Sequence, residues 1–270
     1  MPLYHLLTRP AKFPAAEARR PALLRFRQAL LIVGSVHAIV LAGGRGERLR
    51  PLTNDRPKPM VEVSGAPILA YQLSWLRSQG VTEVVIACGY RHEVITDYFG
   101  TGDRWGLRIQ YAVEDRPLGR GGAIRGAYVG LSPPPDLVLA TNGDIITNLP
   151  VGPVVEQHRG RGHLATIVLV PYVSSFGLVE VDGADHVVAF QEKPTLPYWI
   201  NAGVYVLSRE ALSHFPEVGD HEQTTFPLLA QQRRLGAYRS QDYWRTVDTV
   251  KDLSDASREM ERHLLTAFLT

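Results

Sequence analysis

The densest set of chemically useful residues is LAGGRGERLRPLTNDRPKPM, residues 41–60. Gly43, Gly44 and Gly46 let a backbone approach a ligand closely, and successive N–H groups there can cradle phosphate oxygens. Arg45, Arg48, Arg50 and Lys58 put positive charge around that cradle. It is neither of two familiar phosphate loops: the dinucleotide fingerprint needs a glycine where Leu49 stands, and no Gly-Lys-Ser/Thr follows for a Walker A loop. A second feature is Asn142-Gly143-Asp144, which closes an apolar run. Magnesium takes one or two carboxylates together with substrate phosphates, a demand Asp144 meets, although Asn-Gly-Asp is also good turn chemistry. The third is Trp244-Arg245-Thr246-Val247-Asp248-Thr249. Thr246 and Asp248, two apart, face the same side of an extended segment. Asp248 can serve as the N-cap of a closing helix.

Together these strings resemble the signature of the sugar-1-phosphate nucleotidylyltransferases, G-G-x-G-x-R-L followed by Pro-Leu-Thr and a Lys-Pro pair. The matching positions are Gly43, Gly44, Gly46, Arg48, Leu49, Pro51, Leu52, Thr53, Lys58 and Pro59. The resemblance runs in order over residues 37–253, through Glu114-Asp115-Arg116-Pro117-Leu118-Gly119, Gly121-Gly122-Ala123, Phe176-Gly177, Glu192-Lys193-Pro194 and Asn201-Ala202-Gly203-Val204-Tyr205. It implies Mg²⁺-dependent transfer of a nucleotidyl group from an NTP to a sugar 1-phosphate, most similar to the GDP-mannose or GDP-heptose branches. Leu41, Ala42, Gly43, Gly44, Gly46, Glu114 and Gly119 would bind the nucleotide. Gly177, Glu192, Lys193 and Asn201 would bind the sugar phosphate. Arg48, Lys58, Asp144 and Lys193 would be the catalytic set, with Asp144 and Asp248 on the metal. Three departures stand out. Glu47 replaces a common threonine, and Arg120 replaces the usual threonine after Pro-Leu-Gly, which bears on base choice. Thr246 stands where the metal aspartate is usual. Uridylyl or thymidylyl transfer to another hexose 1-phosphate, or a non-catalytic sugar-nucleotide sensor, are the alternatives.

A site of this kind needs strand ends to hold it. HAIVLA, VTEVVIACG and DLVLATNGD read as buried strands, short apolar runs rich in β-branched residues and closed by polar or glycine residues, and LRIQYAV reads as a further strand. Residues 67–79, RHEVITDYFG and residues 120–131 read as the helices between them. Strands alternating with helices mean βαβ units and a parallel sheet, in which ligands bind beyond the carboxyl ends of strands. After Pro150, HLATIVLV, GLVEVD, HVVAFQEK and INAGVYVL read as strands with fewer helices between, and residues 250–268 as a closing helix. The fold class is therefore α/β, a mixed, mainly parallel sheet flanked by helices, with the Rossmann-like form that the resemblance implies. Trp75 and Trp199 read as core residues. His158 and His163, five apart, fit surface or packing roles, and no pair of the nine histidines has metal-ligand spacing.

Composition sets the outer limits. With 45% hydrophobic and 21% charged residues over 270 positions, the chain is neither disordered nor collagen-like. One cysteine, Cys88, rules out a disulfide framework and fits the cytoplasm. The net charge of +2 hides an asymmetry. Residues 1–35 hold six basic side chains against Glu17 and carry +5, leaving 23 basic and 26 acidic residues in the rest. That balance gives no support to a nucleic-acid partner, and the apolar run after Ala29 is too short to span a bilayer. Residues 1–35 read as a flexible basic leader or an extension ahead of a start at Val36, and residues 36–270 as one catalytic domain. Any homo-oligomer would form through that domain.

Overall fold

A computed structural model describes residues 36–263; the leader and the last seven residues, with the expectations that fall on them, lie outside the described residues. The backbone is a seven-stranded sheet with most strands parallel. Its first half alternates as expected, with one addition the sequence did not suggest, a small hairpin ahead of the first helix: β1 (His37–Leu41), the hairpin of β2 (Glu62–Val63) and β3 (Ala66–Pro67), α1 (Ile68–Ser78), β4 (Glu83–Cys88), α2 (His92–Phe99), β5 (Arg108–Val113), α3 (Gly119–Val129) and β6 (Leu137–Asn142). Pro67 caps α1 rather than entering it, because its extended backbone (ψ 145°) still pairs with Glu62. Helix α3 starts at Gly119 and ends at Val129, one and two residues earlier than expected.

Side chains alternate across the strands as a period of two requires. Ala38 and Val40 of β1, with Val84, Ile86 and Cys88 of β4, face one layer that includes α1. Ile39, Val85 and Ala87 face the other, against Ala123, Ile124 and Ala127 of α3. Both faces are covered, which is why these strands read as continuous apolar runs. Trp75 belongs to the first layer, and its indole N–H donates to the Leu149 carbonyl at 2.8 Å. Trp199 does not go to the core: it is half-buried, with the Arg239 guanidinium 5.4 Å from its ring centre.

The second half is β7 (Ile145–Thr147), α4 (Val151–Arg161), β8 (Ala165–Val173), β9 (Leu178–Val181), β10 (Val187–Gln191), β11 (Thr195–Ser208), α5 (Arg209–Ser213), α6 (Thr225–Gln231), β12 (Leu235–Arg239), β13 (Trp244–Thr246) and α7 (Val250–His263). The spatial order is β12-β8-β11-β6-β1-β4-β5, with β11 alone running antiparallel to its neighbours. Strands β9 and β10 form a separate exposed hairpin, and β13 pairs with β7. Pairing Thr246 with Ile145 brings the chain around Asp248 back beside Asp144. Among the described residues no helix is long and apolar enough to cross a membrane.

Candidate active site

The glycine loop leaves β1 at the carboxyl edge of the sheet. The Ala42 N–H is still held by the Ala87 carbonyl at 2.7 Å, so Ala42 is buried sheet continuation and the cradle begins at Gly43. Gly46 is left-handed (φ 65°), and a Cβ there would press on Lys58 Cβ at 2.8 Å. Only glycine can therefore turn the chain at that point and let Lys58 come in beneath the loop. Thr53 closes the turn from the other side by donating to the Gly46 carbonyl at 2.9 Å.

Lys58 is the centre of the site. Its stem is buried, and its Nζ donates to Asp144 Oδ2 at 2.5 Å and to Asp248 Oδ1 at 2.6 Å. The two carboxylate oxygens are thus no more than about 5 Å apart, one bond length on either side of a single ammonium. Arg48, largely exposed, adds a second cation to Asp248 Oδ1 at 2.7 Å. Burial opposes ionisation of Asp248, but Lys58 and Arg48 outweigh it and hold its pKa below the usual aspartate value. Thr246 does not compete with Asp248 for this place: its hydroxyl donates to Asp248 Oδ2 at 3.2 Å. The N-cap role that Asp248 could have taken for α7 falls instead to Thr249, whose Oγ1 accepts from the Asp252 N–H at 3.2 Å, while Asp252 Oδ2 accepts from both the Asp248 and Thr249 N–H groups.

Two recesses meet at Asp144. One, of about 350 Å³, is lined by Leu41, Gly43, Gly44, Lys58, Glu114, Gly119 and Asp144 among others. Burial raises the Glu114 pKa, partly offset by the Leu118 N–H donating to its Oε2. The other recess, of about 390 Å³, is lined by Arg48, Asn201, Glu222, Trp244 and Asp248 on its outer wall, and shares Arg120, Asn142 and Asp144 with the first. Asn142 Oδ1 is buried at this junction without a hydrogen-bond partner. Of the residues expected from the sequence, Leu41, Gly43, Gly44, Arg48, Lys58, Glu114, Gly119, Asp144, Asn201 and Asp248 are brought together here. Gly177, Glu192 and Lys193 are not. They lie beside the β9–β10 hairpin, where Lys193 Nζ is half-exposed and 3.8 Å from Glu192 Oε1, and none of the three lines either recess.

Sequence reading missed the wall opposite. Residues 216–223 pack onto the start of α3, with the Gly121 N–H donating to the Gly219 carbonyl at 2.9 Å and the Gly219 N–H to the Leu118 carbonyl at 2.8 Å. Gly119 has φ 73°, and a Cβ on it would meet the Gly219 carbonyl oxygen at 2.6 Å, so its glycine serves this docking as well as the recess. His221 anchors the segment, fully buried, stacked on Phe215 and met edge-on by Tyr205 and Phe226. Glu222 then reaches Asn201 Nδ2 and the Tyr205 hydroxyl, both at 2.8 Å. Only the proximity of Phe-Pro after a polar loop could have signalled this segment, which is a weak cue.

A pair of carboxylates beside a glycine cradle fits a divalent cation of the magnesium type, with phosphate oxygens completing its shell. No set of three or more His, Cys, Asp or Glu side chains among the described residues could hold a metal without such help.

Comparison with known proteins agrees with this geometry. The nucleotidyl transferase family model matches residues 37–263. The mannose-1-phosphate guanylyltransferase of Mycobacterium tuberculosis is 35% identical over 235 residues, covering 84% of this chain and 65% of that protein. The mannose-1-phosphate guanyltransferase of Pichia angusta is 34% identical, covering 79% and 61%. The chain thus spans less than two thirds of the length of these relatives. Among solved structures, HddC of Yersinia pseudotuberculosis superposes with a TM-score of 0.67 at 25% identity, covering 83% of this chain and 99% of that one. A putative glucose-1-phosphate thymidylyltransferase of Bacillus anthracis, at 21% identity and the same TM-score, shares the fold. The chain belongs to the nucleotidyl transferase family.

Proposed function

We propose that the protein transfers a nucleotidyl group from an NTP to a sugar 1-phosphate, with GTP and mannose 1-phosphate as its pair. The observation that carries this reading is the single Lys58 ammonium joining Asp144 and Asp248 at the mouth of a glycine-lined recess. In the reaction a sugar-phosphate oxygen attacks the α-phosphorus in line. A new P–O bond forms, the α–β bridging bond breaks, and pyrophosphate leaves with its electrons. Such a transfer needs positioned cations rather than a nucleophile from the protein. The amides around Gly43 and Gly44 hold the triphosphate, and Arg48, largely exposed beside Asp248, meets the leaving pyrophosphate. Lys58 meets the α-phosphate from beneath the loop. Magnesium held by Asp144 and Asp248 would neutralise charge developing on the phosphates. Asn201 lines the second recess and orients the sugar. Residues 36–270 are the catalytic domain, and cytoplasmic location rests on the single free thiol, Cys88, which is buried.

The test is pyrophosphate release from the purified protein with Mg²⁺, crossing GTP, UTP, dTTP, CTP and ATP with several sugar 1-phosphates. Release fastest with GTP and mannose 1-phosphate supports the proposal. Preference for another pair corrects the substrates, and no release with any pair overturns the activity in favour of a sensor.

A further inference from the structure

Arg120 stands where the two recesses meet, 100 residues from its partner Asp220. Its guanidinium is engaged by two carboxylates. Nε donates to Asp220 Oδ2 at 2.9 Å, Nη2 bonds the same oxygen, and Nη2 also lies 2.7 Å from Glu222 Oε2. Asp220 Oδ1 accepts from the Glu222 N–H at 2.9 Å, so the two carboxylates are fixed relative to each other by the backbone. Glu222 Oε1 in turn holds Asn201 Nδ2, and Asn201 Oδ1 accepts from the Gly203 N–H at 2.8 Å. One cation at the start of α3 therefore sets the position of an amide on β11 through a carboxylate.

The charges around the second recess make this matter. Its lining has three carboxylates, Asp144, Glu222 and Asp248, against the two cations Arg48 and Arg120. A sugar 1-phosphate brings close to two negative charges at neutral pH. Without Arg120, Glu222 would face that phosphate uncompensated, Asp220 beside it would lose its counter-charge, and Asn201 would lose the strut that orients it. Arginine suits the task because its planar fork can serve two carboxylates at once, which lysine's single ammonium does less well. We propose that Arg120 is a positioning residue for the sugar-phosphate half of the site, cancelling Asp220 and Glu222 and holding Asn201 through Glu222. This deepens the proposed activity and rests on it. It also moves the effect of the threonine-to-arginine departure from the base to the sugar.

The test is steady-state kinetics with GTP, mannose 1-phosphate and Mg²⁺ on the wild-type protein, R120T, R120K and R120T/E222Q. In R120T, KM for mannose 1-phosphate should rise about tenfold, as the loss of one close charge pair implies, while kcat and KM for GTP stay within about threefold. Removing the exposed carboxylate in R120T/E222Q should bring that KM back to within about threefold of wild type, and R120K should fall between R120T and wild type. A purely structural role would give no rescue, since the double variant removes more contacts than the single one. An unmoved KM in R120T, or a double variant no better than R120T, overturns the inference while leaving the activity standing. Wild-type protein that releases no pyrophosphate with any pair, and binds no mannose 1-phosphate by calorimetry, overturns both.

Discussion

Replacing Lys58 by methionine keeps the buried stem and removes only the ammonium that joins Asp144 to Asp248. Two carboxylate oxygens no more than about 5 Å apart then face each other with Arg48 as their remaining counter-charge. Both side chains are about a quarter exposed, so the repulsion lies between the water value and that at an effective dielectric of 20, or about 1 to 3 kcal/mol. Losing two charge-assisted hydrogen bonds adds to this, whereas Arg48, 72% exposed, offsets less than about 1 kcal/mol. A net loss of about 2 to 3 kcal/mol corresponds to a fall in Tm of roughly 4 to 12 °C for a chain of this size. The divalent cation makes the test specific. In the wild-type protein a cation must displace the ammonium from its carboxylates, but in K58M the pair is vacant. With a Kd of about 1 mM, 10 mM Mg²⁺ should return about 1.4 kcal/mol to K58M, and less than about 0.5 kcal/mol to the wild type. Urea unfolding of both proteins in EDTA and in Mg²⁺ measures this. K58M as stable as wild type in EDTA, or Mg²⁺ stabilising both equally, would refute the assignment of this triad as a cation site occupied by its own lysine.

Two further outcomes follow from other residues. Asp248→Asn should lower kcat for pyrophosphate release by more than about 100-fold and Thr246→Val by less than about fivefold, because it is Asp248 that meets Lys58; the reverse order would refute Asp248 as the second metal carboxylate. Burial among Phe215, Tyr205 and Phe226 pushes the His221 pKa down to about 4, and burial takes His158 to about 4 as well. For a base with a depressed folded pKa, the unfolded chain takes up the proton first, so stability is full above about pH 6.5 and falls as pH drops toward 4. His221→Phe, which preserves the ring packing, should therefore lose about 2 kcal/mol less than wild type between pH 7.5 and pH 5 in urea unfolding. Equal losses would show that His221 is not held neutral.

What could be read from the sequence was what is local. The strands β1, β4 and β6 were legible because each is a short apolar run with a polar or glycine end, and burial on both faces demands that pattern. Strand β5, at the sheet edge, buries only Ile109 and was legible from its place in the alternation of strands and helices. Helix α4 was not, because VGPVVEQHRGR has two glycines and a proline and little apolar periodicity, and it is fixed by packing Val151, Val154 and Val155 into the core. Strand β11 was expected from Ile200 but begins at Thr195, where irregular pairing with β8 hides its alternation. Within the site, the glycine loop and Asn-Gly-Asp stood out because their chemistry is contiguous. Spacing left Asp248 and Thr246 equivalent, and only the position of Lys58, 190 residues away, separates them. Motif matches at Gly177, Glu192 and Lys193 carried no information on distance, and these residues lie outside both recesses.

The glycines of Gly119-Arg120-Gly121-Gly122 answer to a segment around Gly219 that no local pattern ties to them. A glycine-rich stretch at the start of a helix suggests room for a phosphate. Here a Cβ on Gly121 would meet Pro216 and the His221 N–H at 2.8 Å, so this position is small to admit another piece of the protein, not a ligand. That piece is anchored by His221 on one side and carries Asp220 and Glu222 on the other. The walls of the first and second recesses are therefore one packed unit, joined by backbone hydrogen bonds at Gly219 and by Arg120 across its surface. Arg120 is affordable only in that setting. On an open loop it would add a cation with no partner, whereas beside a docked acidic segment it leaves the recess close to neutral and the amide of Asn201 in place.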